Sequence, residues 1–353
     1  MKKSFFPAVA LWGVLFLTGC VSSPVYVGGN DGIHHVRYSF FPSNWRAEKV
    51  TDISNVSFMA AHRRSLYAAR RIAREVYCVD VFRIRRDGSL NKTDAFVIPG
   101  KHGYCHISLS GDGKYLFGSS YSGGFLDVLS LIPGGGIIRL KQRIPFVGRS
   151  IHKRQKGSHP HFAAETPDGT KVLAADLGCD RIYILKNVPG KGFVQTGSAV
   201  LPPGAGPRHL SFSADGKFVF CANELNNTVT SFKLEKEELV PVDSCRLLPA
   251  AWSGRSFAGA VKTLPSGEIF VTNRGHDSVA VLSASSGGKL KYGHAFSSMG
   301  NFPYDILLRG RELFTVCMKS DKFGVWKRKD GSWELEETLT IRRPVCIIPV
   351  PEK

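Results

Sequence analysis

A chain of 353 residues, of which 43% are hydrophobic and 22% charged, has the composition of a globular protein and excludes an intrinsically disordered one. Its 37 glycines, 19 prolines and 23 phenylalanines favour a sheet protein with many tight turns. The net charge of +18 favours anionic partners, but no nucleic-acid-binding motif accompanies the basic clusters, so we expect a solvated basic surface and no nucleic-acid partner.

The N-terminus has the three parts of a bacterial export signal. A basic head at residues 1–3 precedes an apolar run at residues 5–17, which is too short to span a bilayer, and Leu17-Thr18-Gly19-Cys20 follows. This order resembles a lipoprotein signal, in which the Cys20 thiol receives the lipid. We therefore expect residues 1–20 to be a signal and the protein to be an exported bacterial lipoprotein, anchored to the membrane and facing the periplasm or the cell surface. An ordinary signal peptide or a buried first strand is the alternative.

One pattern recurs along the mature chain: an apolar strand, a turn that ends in glycine, and a second apolar strand. The turn glycines lie roughly 50 residues apart, at Gly113, Gly169, Gly216, Gly267 and Gly310. Asp-Gly between apolar runs favours a tight hairpin because the turn requires a positive φ. A second turn, rich in Asn, Asp or Gly, then leads to a further strand. The repeat predicts the four-stranded blades of a propeller.

The ends of the chain predict how the ring of blades closes. Six units fit between about residues 56 and 329, while residues 26–38 resemble the later strands of a blade and residues 344–349 resemble a first strand. Pairing these ends in one sheet removes the open edge. The sequence therefore predicts an all-β fold in which residues 21–353 form one seven-bladed β-propeller of four-stranded antiparallel blades, closed by its N- and C-terminal strands.

Polar residues stand at the start of the predicted first strands, which line the channel of a propeller. They occur in four blades, as Cys105-His106, His159-Pro160-His161, Gly206-Pro207-Arg208-His209 and Phe302-Pro303-Tyr304-Asp305. Radial symmetry brings these distant segments to one axis. Their convergence marks a candidate site, and a polar channel lining with trapped water is the alternative.

Two turns between second and third strands face the same funnel and carry Asn223-Glu224 and Asn273-Arg274. Arg208 beside Glu224 would keep that carboxylate ionised, and His161 is expected to titrate near neutrality. Both arginines offer bidentate donors to a carboxylate or a phosphate. The set predicts an acid/base pair with an anion clamp.

Together these segments resemble the lactonase family of seven-bladed propellers, which includes propeller-type 6-phosphogluconolactonases and the fungal carboxy-cis,cis-muconate cyclase. The matching stretches are Ser158-His-Pro-His161, Asp176-Leu-Gly-Cys-Asp180, Gly204-Ala-Gly-Pro-Arg-His-Leu210, Asn223-Glu-Leu225 and Asn273-Arg-Gly-His-Asp-Ser278. The resemblance covers essentially the whole mature chain. Ser120, Tyr304 and Met318-Lys319 depart from the family pattern, which leaves the substrate open.

The resemblance implies catalytic roles for four residues, which are His161, Arg208, Glu224 and Arg274. We expect substrate contacts from polar residues close to them, which are His106, His159, His209, Asn223 and Asn273. The chain has no Gly-x-Ser-x-Gly elbow and no nucleotide-binding loop. His159 and His161 lie two apart and would share one face of a strand, where Asp176 would complete a metal site, but such spacing is non-specific. We expect neither a cofactor nor a metal.

The resemblance implies hydrolysis of a sugar-acid lactone, with 6-phosphogluconolactone as the leading substrate and Glu224 or His161 as the general base. Because sugar phosphates are mainly cytoplasmic, the export signal favours a periplasmic sugar lactone as a rival. Two other classes stay open: a muconate-type cycloisomerase acting on a dicarboxylate, and a non-enzymatic envelope propeller that binds an anionic ligand or partner. The sequence does not determine the oligomeric state.

Overall fold

Apolar strands and glycine-ended turns alternate to form seven antiparallel sheets in the computed structural model, which describes residues 24–351. The expected signal and Cys20 lie outside these residues. Within the described range there is no helix with the length and apolarity needed to cross a membrane.

Six blades follow one another along the chain, and the first strand of each lies innermost. Blade 1 contains β4 (Val56–His62), β5 (Ser65–Ala73), β6 (Val76–Ile84) and β7 (Leu90–Val97). Blade 2 contains β8 (His106–Leu109), β9 (Tyr115–Ser120), β10 (Phe125–Leu131) and β11 (Ile137–Pro145). Blade 3 contains β12 (Pro160–Glu165), β13 (Val172–Asp176), β14 (Arg181–Val188) and β15 (Gly192–Val200).

The second half of the chain repeats this order. Blade 4 contains β16 (Pro207–Phe212), β17 (Phe218–Asn223), β18 (Thr228–Leu234) and β19 (Leu239–Arg246). Blade 5 contains β20 (Phe257–Thr263), β21 (Glu268–Arg274), β22 (Ser278–Ala284) and β23 (Leu290–Ser297). Blade 6 contains β24 (Pro303–Arg309), β25 (Glu312–Cys317), β26 (Lys322–Lys329) and β27 (Ser332–Thr340).

The closing blade joins both ends of the described chain. It contains β1 (Val25–Gly28), β2 (Ile33–Phe40), β3 (Ser43–Lys49) and β28 (Cys346–Pro349), in the order β28-β1-β2-β3. β28 supplies the inner strand and pairs antiparallel with β1, so that Val27 lies opposite Ile347. The predicted seven-bladed propeller and its closure by the two terminal strands are confirmed.

The predicted hairpin turns and the packing between blades follow from the sequence. Gly113 and Gly216 both have a φ of 70°, which glycine adopts without steric cost. Apolar side chains fill the space between neighbouring sheets. For example, Trp45 of the closing blade packs edge-on against Phe314 of blade 6, with ring centroids 5.3 Å apart. Burying each such side chain contributes about 1.5–3 kcal/mol.

The antiparallel order divides the turns between two faces. Turns between second and third strands, and the connections that lead into each inner strand, lie on one face, here called the funnel face. Turns between first and second strands and between third and fourth strands lie on the opposite face. The candidate residues at the starts of inner strands and in the second-to-third turns therefore share the funnel face.

Candidate active site

The three inner strands that begin with proline contain a β-bulge at their second residue. In β12 the extra residue is His161, which lies between the pairs Pro160–Asp176 and Phe162–Ala175. Arg208 in β16 and Tyr304 in β24 occupy the same position between paired residues. Each bulge follows a proline, which has no N–H to donate to the ladder. Because a bulge re-aims the side chain of its extra residue, three blades deliver functional groups to one place.

Glu224 is the centre of the site. It follows β17, is 3% exposed, and its two oxygens face three arginines. Its Oε2 lies 3.0 Å from Arg208 Nε and 2.5 Å from Arg274 Nη2, and its Oε1 accepts a hydrogen bond of 2.5 Å from Arg154 Nη1. The site is therefore one buried carboxylate surrounded by guanidinium groups from three segments of the chain.

Arg154 is a site residue that sequence reasoning missed. It belongs to the basic run His152-Lys153-Arg154, one of the basic clusters that we expected to form a solvated surface. That interpretation is wrong for Arg154, because it pairs with Glu224. Arg154 lies in residues 146–159, the longest connection into an inner strand. The neighbouring Gln155 is fully buried and donates from Nε2 to Asp180 Oδ1 at 2.7 Å, which anchors the loop. Long connections in compact folds are often functional, and loop length is the signal that would have drawn attention here.

Asp180 and Gly206 tie the connection into β16 to the turn that carries Glu224. The Asp180 carboxylate accepts hydrogen bonds from Gly204 N and Gly206 N, both 2.7 Å long. Glu224 N in turn donates to Gly206 O at 2.7 Å. Gly206 has a φ of 66°, and a Cβ there would lie 2.5 Å from Leu225 Cγ. Glycine is therefore required at the point that sets the approach of the bulged arginine.

Tyr304 lies against both buried arginines. The guanidinium carbon of Arg208 is 5.2 Å from the centre of the Tyr304 ring, and that of Arg274 is 5.6 Å away. Arg274 also lies 5.3 Å from the ring centre of Phe302. Because a guanidinium is attracted to an aromatic face, these rings hold the arginines in place without neutralising them. Tyr304, a departure from the family pattern, thus has a positioning role in the site.

The electrostatics of Glu224 decide its protonation state. Burial alone would raise the pKa of its carboxyl, but Arg274, Arg208, His161 and Arg154 together hold that pKa well below its usual range. The carboxylate is therefore ionised at neutral pH, as the sequence predicted. The same low pKa makes it a weak base.

His161 differs from expectation. Burial, followed by the positive charge of Arg208, lowers its pKa well below the usual value, so the prediction that it titrates near neutrality is wrong. His106 and His209 have pKa values lowered in the same way, first by burial and then by nearby cations. The expectation from the sequence considered the charges near His161, but it did not include the burial of that side chain at the bulge of an inner strand. All three imidazoles are neutral at pH 7.

His209 lies in the channel between His161 and His106 and contacts both rings. The ring centroids of His161 and His209 are 5.4 Å apart, and those of His209 and His106 are 5.6 Å apart. His106 is held between Phe58 and Phe162, with ring centroids 4.3 and 4.2 Å away. These histidines continue the polar centre from the site into the channel. Their roles in substrate binding stay predictions.

The metal alternative does not assemble around His159. Its ring stacks on Tyr121, with centroids 4.3 Å apart, and its Nδ1 lies 2.7 Å from Tyr121 O. The alternation that would have put it on the face of His161 is interrupted by the bulge. Asp176 Oδ1 accepts hydrogen bonds from backbone amides, including those of His159 and Gly178. Among residues 24–351, no group of three His, Cys, Asp or Glu side chains is placed to hold a metal ion.

Asn223 and Asn273 occupy equivalent positions before the two funnel turns. Asn223 Nδ2 donates to the hydroxyls of Thr228 and Thr230, each at 2.8 Å. Asn273 Nδ2 donates to Ser278 Oγ at 3.2 Å and to a backbone carbonyl. Both amides therefore brace the hairpin ends at which Glu224 and Arg274 lie, and their assignment to substrate binding stays a prediction.

Several buried polar atoms of the site have no hydrogen-bond partner, and they include Arg208 Nη1, Arg274 Nε and His161 Nδ1. Three arginines against one carboxylate leave an excess of positive charge. An unpaired buried donor costs about 1–3 kcal/mol, so unpaired donors on the arginines that surround one carboxylate mark a candidate ligand site. The arrangement can bind an anionic group, stabilise a developing oxyanion and accept a proton at a neutral imidazole.

Comparison with known proteins places this geometry in context. The family described as "Lactonase, 7-bladed beta-propeller" matches residues 19–349. The 6-phosphogluconolactonase of Bacillus subtilis is 28% identical over 252 residues, which are 69% of this chain and 72% of that enzyme. An uncharacterized protein of Staphylococcus epidermidis is 27% identical over 307 residues, covering 84% and 89% of the two chains. Among solved structures, the periplasmic gluconolactonase of Pseudomonas aeruginosa has a TM-score of 0.85 and 26% identity, covering 93% of this chain and 99% of that one.

Proposed function

Because the chain belongs to the lactonase family of seven-bladed β-propellers, we propose that it hydrolyses the lactone of a sugar acid at the cluster of His161, Arg208, Glu224 and Arg274. The observation that carries the proposal is the set of unpartnered, buried donors around an ionised carboxylate. Such a set is suited to a reaction in which negative charge develops on a carbonyl oxygen.

The arginines supply the electrostatic part of the reaction. A lactone carbonyl placed against Arg208 Nη1 and Arg274 Nε meets donors that have no other partner. When water adds to the carbonyl carbon, the oxygen becomes an oxyanion, and these donors stabilise it without reorganising. One preorganised donor of this kind contributes about 2.7–4 kcal/mol to lowering the barrier. Glu224 orients the two guanidinium groups through its charge contacts with both.

His161 is the general base in this proposal. Its imidazole is neutral and its Nδ1 has no partner, whereas Glu224 has a depressed pKa and both of its oxygens face arginines. His161 takes the proton from the attacking water and returns it to the ring oxygen as the C–O bond breaks, which releases the open hydroxy acid. The oxyanion offsets the charge of Arg208 and so raises the pKa of His161 towards a value suited to proton transfer.

The substrate class follows from the charge of the site and from the relatives. An excess of buried positive charge is suited to the oxyanion that develops on the carbonyl of any lactone, and it favours further a lactone that carries a phosphate. The names of the Bacillus subtilis and Pseudomonas aeruginosa proteins point to 6-phosphogluconolactone and gluconolactone, respectively. We propose that the protein acts on one of these sugar lactones, and that it does so as an exported protein anchored by lipid on Cys20.

A substrate panel tests the proposal. The chain of residues 21–353 should open D-glucono-1,5-lactone or its 6-phosphate faster than buffer alone, and Glu224→Gln should lower kcat/KM by about 100-fold or more because the arginines lose their partner. A thermal melt of the variant separates lost chemistry from lost folding. Turnover of a carboxymuconate without turnover of lactones would instead favour the cycloisomerase. Binding of an anionic sugar without turnover would favour a non-enzymatic propeller.

A further inference from the structure

A basic cleft lies on the face opposite the funnel. It has a volume of 920 Å³, and its lining includes five arginines, which are Arg63, Arg64, Arg85, Arg86 and Arg309. Arg63 and Arg64 form the turn between β4 and β5, and Arg85 and Arg86 belong to the turn between β6 and β7. These four side chains are exposed. One acidic residue, Asp87, shares the lining, and its carboxylate accepts hydrogen bonds from Ser89 within its own turn.

The floor of the cleft contains an unpartnered polar atom. His35 is 4% exposed, lines the cleft, and its Nε2 has no hydrogen-bond partner. Tyr26 packs against the imidazole and donates from its hydroxyl to Gly88 O at 2.8 Å. A Cβ on Gly88 would lie 2.3 Å from the His35 ring, so the turn closes directly over it. The cleft thus combines a built polar floor with a rim of exposed cations, which suits a phosphate-bearing group.

An exposed aromatic tip stands on the same face. The turn between β2 and β3 carries Phe40 and Phe41, which are 57% and 93% exposed. This turn belongs to the closing blade. The closing blade lies beside blade 1, and two turns of blade 1 line the cleft. Large aromatic side chains exposed on a face that also carries exposed cations are typical of surfaces that enter the interface of a membrane.

The N-terminal segment leaves the propeller at this face. Pro24, the first described residue, lines the cleft and leads into β1. Three residues separate it from Cys20, and the four Cα-to-Cα steps between them span at most about 14 Å when extended. A lipid on Cys20 would therefore bring the cleft and the aromatic tip to the membrane surface.

We propose that the face opposite the funnel docks on an anionic membrane surface, with phospholipid phosphates in the arginine cleft and Phe41 in the interface. The funnel then opens away from the bilayer and receives its substrate from the aqueous side. The inference concerns a surface separate from the proposed lactonase site, so the two are tested independently.

Vesicle binding tests the cleft without the lipid anchor. Residues 24–351 close the ring among themselves, so the chain of residues 21–353 retains the fold. It should sediment with phosphatidylcholine vesicles that contain phosphatidylglycerol, less so at higher salt, and not with phosphatidylcholine alone. Each arginine near an anionic leaflet contributes about fivefold to partitioning, so R85E/R86E should reduce it by at least about 25-fold.

A matched variant controls for total charge. R71E/R74E makes the same charge change at exposed residues on the funnel face, at the end of β5 and in the turn that follows it, and it should change partitioning by no more than about twofold. If both double variants lose vesicle binding to the same extent, the vesicles attract the protein through its net charge alone. That result would overturn the proposal. Failure of the wild type to bind anionic vesicles at low salt would overturn it as well.

Phe41 reports on the geometry of docking. Phe41→Ser should lower partitioning by about tenfold or more, because the variant lacks the aromatic side chain that would be buried in the interface. Phe41→Trp should show a blue-shifted emission on addition of anionic vesicles, and unchanged emission of a bound protein would contradict insertion.

Titration with glycerol 3-phosphate distinguishes a free phosphate ligand from a membrane. If the wild type binds glycerol 3-phosphate but not vesicles, and R85E/R86E abolishes the binding of glycerol 3-phosphate, the cleft is a site for a soluble ligand. That result would overturn the membrane orientation. Vesicle binding that depends on Arg85 and Arg86 supports it.

Discussion

Both faces of the propeller gather arginines, but they hold them in different ways. On the funnel face, Arg208 and Arg274 are buried around Glu224, whereas Arg85 and Arg86 on the opposite face are exposed. Buried charges keep one geometry and act on a ligand through a low dielectric, while exposed charges act at a distance and are screened by salt. Burial, rather than the number of arginines, separates the surface suited to chemistry from the surface suited to docking.

The largest expected effect on kcat is that of His161→Ala, on the funnel face. Removing the proposed base should lower kcat by about 10²–10⁴-fold with little change in KM, because the arginines still bind the substrate. His294→Ala, on the exposed outer strand β23, is the matched control and should leave kcat unchanged. Steady-state hydrolysis of the best lactone measures both. An active His161→Ala enzyme would assign the base to another group.

The buried histidines of the channel should make stability depend on pH. Burial lowers the pKa of His106, His161 and His209, so below about pH 6.5 the unfolded chain binds more protons than the folded protein. Stability is therefore full above that pH and falls as the pH drops towards the folded-state pKa values. The slope is up to about 1.4 kcal/mol per pH unit for each histidine.

Urea denaturation across the acidic range measures this slope. His106→Phe, which keeps a ring between Phe58 and Phe162, should reduce the slope by the contribution of one histidine. An unchanged slope in that variant would show that His106 does not remain neutral in the folded protein.

A smaller effect is expected from Arg154, whose side chain is partly exposed. Arg154→Ala removes one of three partners of Glu224 and should lower kcat/KM by about tenfold, a typical value for a partly solvated charge pair. Lys153→Ala removes the neighbouring exposed charge and should have no effect. Equal effects of the two substitutions would mean that Arg154 acts only through the charge of the funnel.

The smallest expected effect on kcat is that of substitutions on the face opposite the funnel. R85E/R86E changes the opposite face by two charge reversals, and kcat on the best soluble lactone should stay within about twofold of wild type, because exposed charges beyond a Debye length are screened. The assay is run at physiological ionic strength. A large loss of kcat would show that the two faces are coupled.

Much of the fold could be predicted from sequence because its signals are local. Asp112-Gly113 and its equivalents combine a turn that needs positive φ with apolar strands on both sides, and the observed φ of 70° at Gly113 agrees. Closure was also predictable, since residues 344–349 lacked partners until paired with the first described strand. Hydrophobic alternation and turn chemistry therefore determine blade number and order.

The site could be predicted in part. His161, Arg208, Glu224 and Arg274 come together because strand starts and second-to-third turns share a face in any propeller. Arg154 could not be placed, because its position depends on a long loop held by the buried amide of Gln155. The neutral state of His161 could not be predicted either, because its pKa depends on the burial of the side chain, which the sequence alone does not show.

The bulges at His161, Arg208 and Tyr304 could have been predicted from the proline that precedes each of these residues. Pro160, Pro207 and Pro303 each stand at the first position of an inner strand, where a missing N–H favours an irregular ladder. The bulges follow them directly and set the direction of His161 and Arg208.

The most direct test of the central claim is hydrolysis of a panel of sugar lactones by the wild type and by Arg208→Ala. The buried cluster predicts that the wild type opens at least one sugar lactone well above the uncatalysed rate. Arg208→Ala should lower kcat for that substrate by about 10²–10³-fold, with the fold retained. If no lactone is opened faster than in buffer, or if Arg208→Ala is as active as the wild type, the cluster around Glu224 is not a lactonase site.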